Sequence, residues 1–268
     1  MIYINTQRVF VRACIRSSSV AKLLRRRDSS SSCRMCPGAA MTRENGHGAP
    51  DGDTFTILDD TPVYNRYMTV YNRRVQFPSH SAGGVNTSSC LEDPPVHEFD
   101  VVGHPKASFH FCISFPYHPP VHGGHWSEGE VTMIREYAQG PSEMVYGLPA
   151  GSFHEESHKT LEGCAMAELS EEAHLCGGKM YKLLDETCPG IAEVKWCRNR
   201  FTPFIVYDPQ PDEAPGSRDS EEVIEIQRMK ITDIKKLLRS GNMLLPSVTT
   251  CYWAFEWLDE HYHHGLSE

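Results

Sequence analysis

The chain reads as an α/β protein in which a mixed sheet is sandwiched by helices. Three observations predict this. Several β-rich segments come first, a single long helical pattern follows them, and more strands lead into two closing helical patterns. That order is not the regular strand–helix alternation of a doubly wound parallel sheet. There is no internal repeat. At 268 residues the chain can bury a full core, and one domain plus appendages is the natural division.

Composition bounds what the protein does. The hydrophobic (40%) and charged (23%) fractions are ordinary for a soluble globular protein. No apolar run is long enough to span a membrane, so no membrane partner is expected. A formal net charge of -9 argues against a general nucleic-acid binder. An anionic ligand would need bridging cations or a few placed arginines. Ten scattered cysteines fit a reducing compartment better than a disulfide framework. The lone Cys33-x-x-Cys36 has neither a second pair nor a βαβ context, so it carries no zinc or redox reading.

Residues 1–43 look like a leader. They hold nine basic residues (Arg8, Arg12, Arg16, Lys22, Arg25, Arg26, Arg27, Arg34 and Arg43), one acid (Asp28) and serine clusters at Ser17–Ser19 and Ser29–Ser32. Arg8, Arg12 and Arg16 form a basic helical stripe beside Val9, Phe10, Val11 and Ile15, the pattern of a mitochondrial or plastid transit peptide. The alternatives are a basic tail, or sequence upstream of a start at Met41, either of which would leave the protein cytoplasmic. Losing those residues takes the formal charge from -9 to -17, so the body is strongly acidic. Residues 44–62 are polar and rich in Gly, Asp and Pro, and read as linker. The domain proper then spans 63–262.

Residues 63–77 alternate partially and predict a strand or hairpin; 79–95 are a Ser-, Gly- and Pro-rich loop. A strand begins near Val101, another covers Ser108–Tyr117, and a His-rich loop, His118–Trp126, follows. Its three histidines lack the Cys or acidic partners of a zinc site. Glu130–Tyr137 and Ser142–Leu148 are strands, and the second feeds a Pro149-Ala150-Gly151 turn. A helix is expected over about Thr160–His174, stopped by Gly177-Gly178. Tyr181–Leu184 is a weak strand. Val194–Tyr207 gives two strands, or one broken near Pro203. Asp208–Asp219 is an acidic, Pro-rich loop, Val223–Met229 a strand, Ile231–Ser240 an amphipathic helix capped by Gly241, and Val248–Tyr262 the last helix.

The central helix carries the chemistry. Glu168, Glu171 and Glu172 stand at i, i+3 and i+4, within an arc of about 100° on one face. Three carboxylates so crowded repel each other. A solvated acidic face is the plain explanation. A hard divalent cation is the sharper one, since oxygen ligands of this kind hold it well. Ala165, Leu169 and Ala173, with Met166 nearby, form an apolar stripe beside the acids. The helix can therefore pack on a sheet while its glutamates face a cleft.

With those residues in place, Leu148-Pro149-Ala150-Gly151 through Leu175 resembles the Nudix box, G-x5-E-x7-R-E-U-x-E-E-x-G-U. The second half aligns as Ala167-Glu168-Leu169-Ser170-Glu171-Glu172-Ala173-His174-Leu175, and Gly151 supplies the leading glycine two residues further upstream than the standard spacing. Extra residues there occur in members that hydrolyse nucleotide sugars. Val131–Tyr137 followed by Leu148–Gly151 also looks like the ADP-ribose and ADP-sugar pyrophosphatase branch. The likeness covers roughly Glu130–Trp257, with Ile134–Leu175 at the level of a motif.

The resemblance implies a Nudix-type α/β/α sandwich with a mixed sheet. It implies Mg2+ or Mn2+ held by Glu168, Glu171 and Glu172 with the carbonyl of Ala150 or Gly151. It implies a general base on a later loop, with Glu221 and Glu222 the candidates against a role as solvated loop acids. Arg135 and Arg200 are candidates for gripping phosphate, against a role as surface charges. The strands before residue 118 would form a dimerisation or substrate lobe. Three positions depart from the pattern. Ala167 replaces the box arginine, Lys159 or Ser157 the upstream glutamate (with Glu155, Glu156 or Glu162 as substitutes), and His174 the glycine after the paired acids.

Two functions are consistent with this. One is a metal-dependent hydrolase that cleaves ADP-ribose or an ADP-sugar to a nucleoside monophosphate and a sugar phosphate. The other is a Nudix-fold module that binds a nucleotide or protein partner without turnover. Retention of all three glutamates favours the first, and loss of the arginine favours the second.

Overall fold

The computed structural model describes residues 55–78, 94–104, 109–218 and 222–262. All of them belong to one compact unit, Ala49–Glu268. The leader expected over residues 1–43 lies outside the described residues, as does most of the loop at 79–95.

The chain begins with a three-stranded antiparallel sheet of β1 (Thr56–Asn65), β2 (Thr69–Gln76) and β3 (Val96–Gly103), in that order. This corrects the expected linker at 44–62, whose last seven residues belong to β1. Asp59, Asp60 and Pro62 make the segment look like loop. Pairing decides otherwise: Asp60 takes ion pairs from Arg73 on β2 (2.9 Å) and from Arg198 (3.1 Å). Arg198 also lies over the rings of Tyr71 and Phe109, at 4.8 and 4.3 Å. Val102 exchanges backbone hydrogen bonds with Trp196 and Arg198, both at 2.8 Å, which ties this sheet to the rest of the unit.

The second sheet has eight strands. Its path runs β10 (Ile191–Ala192), β11 (Arg200–Tyr207), β4 (His110–His118), β5 (Glu130–Ala138) and β13 (Ile224–Lys230). Three strands pair alongside it: β6 (Glu143–Gly147) with β5, β7 (Ala150–Ser152) with β4, and β9 (Lys179–Lys182) with β11. The β11–β4 ladder is parallel and the others are antiparallel, so the sheet is mixed as expected. β11 runs unbroken through Pro203. The Pro203 carbonyl still accepts from Leu183 N–H at 3.0 Å, so the proline loses one donor without ending the strand. A short ladder joins β8 (Leu175–Cys176) to β12 (Gln210–Pro211).

Period-two alternation on the central strands builds the sandwich. On β4, Ile113, Phe115 and Tyr117 join the core that includes Cys251, Ala254, Phe255 and Leu258 of α4 (Leu245–Tyr262). Cys112 and Ser114 face the opposite way, onto α2 (Leu161–Ala173). On β11, Phe201 and Ile205 join the first layer, and Phe204 and Val206 the second. The short helix α1 (Glu155–His158) precedes α2, and α3 (Ile231–Leu237) follows β13.

α2 starts where Thr160 Oγ1 accepts from Gly163 N–H at 3.0 Å, an N-cap that satisfies one orphan donor. It stops at His174, which adopts a left-handed conformation (φ 55°, ψ 42°) and donates its N–H to Leu169 and Ser170. Gly177-Gly178 therefore does not end the helix; β8 already lies between. A non-glycine at a left-handed C-cap costs about 1 kcal/mol, offset here by the docking of the last turn.

His118 is buried, and its Nε2 lies 2.9 Å from Thr132 Oγ1. Burial, helped by Arg228, pushes its pKa down to about 4 from the usual 6.5. Above pH 6.5 the ring is neutral in both the folded and unfolded chain. Between 6.5 and 4 only the unfolded chain binds the proton, so stability falls as pH falls through that window. Urea denaturation from pH 7 to pH 4.5 should show a shallower loss for His118→Gln than for the wild type.

Candidate functional site

The Leu148–Gly151 turn sits at a fork in the sheet. β4 and β5 pair only at Tyr117–Val131 and His118–Glu130. Beyond that point β5 continues with β6, and β4 takes β7 instead. The turn crosses from one to the other, and each of its residues is held. Leu148 N–H donates to Ser247 Oγ on α4 (3.1 Å), and the Pro149 carbonyl accepts from Ser114 N–H (2.9 Å). Ala150 N–H donates to Glu172 Oε2 (2.8 Å), and the Gly151 carbonyl accepts from the Cys164 thiol (3.6 Å). α2 docks on the same strand through Cys112 Sγ to Leu161 O (3.2 Å) and Ser114 Oγ to Ala165 O (3.3 Å).

Glu172 is the centre of the arrangement. It is only 5% exposed. Burial pushes its carboxyl well above the ordinary range, the Ala150 N–H pulls the other way, and Glu168, Glu136 and Glu222 push it up further. Glu168 packs so closely on Gly151 that a Cβ there would overlap its carboxylate. Glu171 packs against Gly216, where a Cβ would overlap its Cγ. Two box glutamates therefore face the turn, and the third packs against a neighbouring loop.

Glu136 was not legible as a site residue. It sits on β5 beside Gly147, whose missing Cβ leaves room for its Oε1, and burial followed by Glu222 raises its pKa. The one signal in the sequence was its place after Arg135, which puts the two on opposite faces of a strand. Arg135 pairs with Glu225 at 3.2 Å on the cross-strand partner β13. Arg200 donates to the Gly190 carbonyl at 2.7 Å, and its charge acts on His110. Glu222 is exposed and its field reaches both Glu136 and Glu172. Glu221 lies outside the described residues.

Among the described residues, neither position aligned with the upstream glutamate bonds to this cluster. Ser157 Oγ donates to His154 O, and Lys159 is the C-cap of α1 at φ 62°. Glu155, Glu156 and Glu162 are exposed.

Among the described residues no group of three or more His, Cys, Asp or Glu side chains is gathered as a metal cage. The donor set nevertheless suits Mg2+ or Mn2+. It is all oxygen, and Mg2+ is commonly held by one or two carboxylates plus substrate phosphates, keeping several waters. Glu168 and Glu172 beside the Ala150-Gly151 backbone would supply such a pair. A bound cation would also offset their mutual repulsion. Ser152, the next residue, lines an open cavity of about 420 Å3 together with Tyr67, Phe111, Trp196 and Asn199. Asn199 Nδ2 donates to Glu193, while its buried Oδ1 has no partner among the described residues.

No protein-family model and no curated protein sequence matches the chain. Among solved structures, it is similar to an ADP compounds hydrolase, with 18% identity and a TM-score of 0.55 over 80% of this chain and 98% of that one. The fold is accordingly Nudix-like, a mixed α/β arrangement around a multi-stranded sheet.

The contact between Gly151 and Glu168 yields a direct test. Gly151→Ala should cost about 1–3 kcal/mol of stability in urea denaturation, because the added methyl must displace the Glu168 carboxylate or the turn.

Proposed function

We propose that this chain is a metal-dependent hydrolase that cleaves the diphosphate of a nucleoside diphosphate derivative, ADP-ribose or an ADP-sugar, to a nucleoside monophosphate and a sugar phosphate. The observation that carries the reading is the buried Glu172 carboxylate, locked on Ala150 N–H with Glu168 against Gly151. Burying a carboxylate beside other acids is costly. A protein that only needed a scaffold would gain by replacing it. The ADP compounds handled by the structural neighbour support the choice of substrate class.

Mg2+ or Mn2+ bound there would screen the diphosphate charge and lower the pKa of a bound water. The residues of the chain do the rest. Glu168 and Glu172 would hold that ion, their carboxylates fixed at the turn by Ala150 N–H and by the close approach to Gly151. Glu222, on the loop before β13, acts as general base on the attacking water, with Glu221, its neighbour in the sequence, the other candidate. The cavity beside Ser152 receives the end of the substrate away from the phosphates, with the aromatic side chains of Tyr67 and Trp196 in its lining. Apolar residues exposed on β1, among them Ile57, Leu58, Val63 and Tyr64, support a homodimer formed through the first sheet. Organelle import through residues 1–43 belongs to the same proposal.

The purified chain should release AMP from ADP-ribose only with added Mg2+ or Mn2+, and Glu172→Gln should reduce release to background. Glu222→Gln should lower kcat by ~10²-fold or more, the usual share of a general base. If nucleotide sugars, dinucleotides and nucleoside triphosphates all fail to turn over with either metal, the alternative holds: a nucleotide- or partner-binding module. The replacement of the box arginine by Ala167 is the observation that favours that alternative.

The cavity makes a separate prediction. Trp196→Ala should raise KM for ADP-ribose with little change in kcat, since it removes binding shared by ground and transition states. A change confined to kcat would place the substrate elsewhere.

A further inference from the structure

We infer that Arg218 is a positioning residue for the carboxylates of α2, acting through the backbone of the helix's last turn. The inference rests on the metal-dependent reading above. An α-helix ends with four carbonyls that lack intrahelical partners. In α2 the His174 N–H serves Leu169 and Ser170. The next two carbonyls belong to Glu171 and Glu172, and Arg218 takes both. Its Nε donates to Glu171 O at 2.9 Å and its Nη2 to Glu172 O at 2.8 Å. Its Nη1 donates to Ile224 O, the first residue of β13, at 3.3 Å. One rigid guanidinium fork therefore joins the two acidic residues to the sheet.

The segment leading to Arg218 is clipped to the same turn. Asp212 N–H donates to His174 O at 2.9 Å. Ser170 Oγ donates to Asp212 Oδ2 at 2.7 Å, and Gly216 N–H to Ser170 Oγ at 3.0 Å. Gly216 then lies so close to Glu171 that a side chain there would overlap it. The Asp212–Arg218 segment is thus a clamp with two independent holds, a guanidinium on the backbone and a glycine on a side chain. A cation at this end also suits the negative pole of the helix.

The clamp matters because Glu172 reaches Ala150 only while its turn keeps its angle. Helix ends fray readily. If the turn carrying Glu171 and Glu172 rotates, the Glu172–Ala150 bond loosens, and Glu168 is left to hold an ion alone. The restraint comes from a residue 46 positions downstream, on a loop whose composition reads as solvated and acidic.

The test measures Mn2+ binding by electron paramagnetic resonance of the free ion, with ADP-ribose turnover followed separately. Wild type is compared with Arg218→Gln, Arg218→Lys and Gly216→Ala, all well below their Tm. Arg218→Gln and Gly216→Ala should each weaken Mn2+ binding by ~10–100-fold, the range typical of residues that orient metal ligands. Arg218→Lys should recover only part of the loss, since one ammonium cannot serve two carbonyls and the sheet at once. Amide hydrogen exchange over residues 169–175 should rise in the same variants without metal.

An unchanged Mn2+ dissociation constant with a lowered Tm would reduce Arg218 to a helix cap and overturn the inference. Should Arg218→Gln fail to fold, Gly216→Ala decides by the same measure. A wild type that binds Mn2+ without hydrolysing ADP-ribose would sink the hydrolase reading and leave the clamp to be decided by the Mn2+ constants. A wild type that does not bind Mn2+ would overturn both.

Discussion

The hydrogen bond from Ala150 N–H to the buried Glu172 carboxylate is the constraint around which the fold is arranged. A carboxylate taken out of water needs compensation. A single backbone N–H supplies part of it, and only if the turn and the helix meet at one fixed distance. That requirement reaches outward. Cys164 and Ala165 are small enough to bring α2 close, where it bonds Cys112 and Ser114 of β4. On the other side, Ser247 of α4 holds Leu148. The turn is therefore braced from both layers of the sandwich.

The same close approach explains the glycines. Gly151 and Gly216 stand where a carboxylate side chain occupies the space of a Cβ, the first against Glu168 and the second against Glu171. Gly147 leaves contact room for Glu136. Each marks a place where backbone and acid meet without an intervening side chain. The acids are thereby sorted. Glu168 and Glu172 meet the turn, with Glu136 and Glu222 in electrostatic reach of Glu172, and Glu171 packs against the loop at Gly216.

Much of this was legible in the sequence where a local pattern dominates. The strands β4, β5, β6 and β13 follow their alternation, and α2 follows its stripe from Ala165 through Leu169 to Ala173. Where long-range pairing decides, local reading fails. β1 is polar enough to pass for linker, yet Arg73 and Arg198 neutralise Asp60 across the sheet. Pro203 looks like a break, yet its neighbours on β4 and β9 keep the strand in register. The helix was expected to end at a glycine pair, but His174 takes the left-handed position first. Glu136 and Arg218 escaped notice because no motif spacing links them to the box.

By itself, the sequence determined which residues could carry the chemistry. Three glutamates on one helical face, after a Leu-Pro-Ala-Gly turn, limit the options to a hard cation or a solvated acidic patch. Local periodicity suffices for that, because helical geometry alone sets their common face. Only the tertiary structure decided which acids meet the turn, which arginines are committed to other partners, and what holds the helix end. Those outcomes depend on the approach of segments far apart in the chain, such as Arg218 onto Glu172 and Asp60 onto Arg198. Burial and close packing set that approach, and no spacing within one segment encodes it.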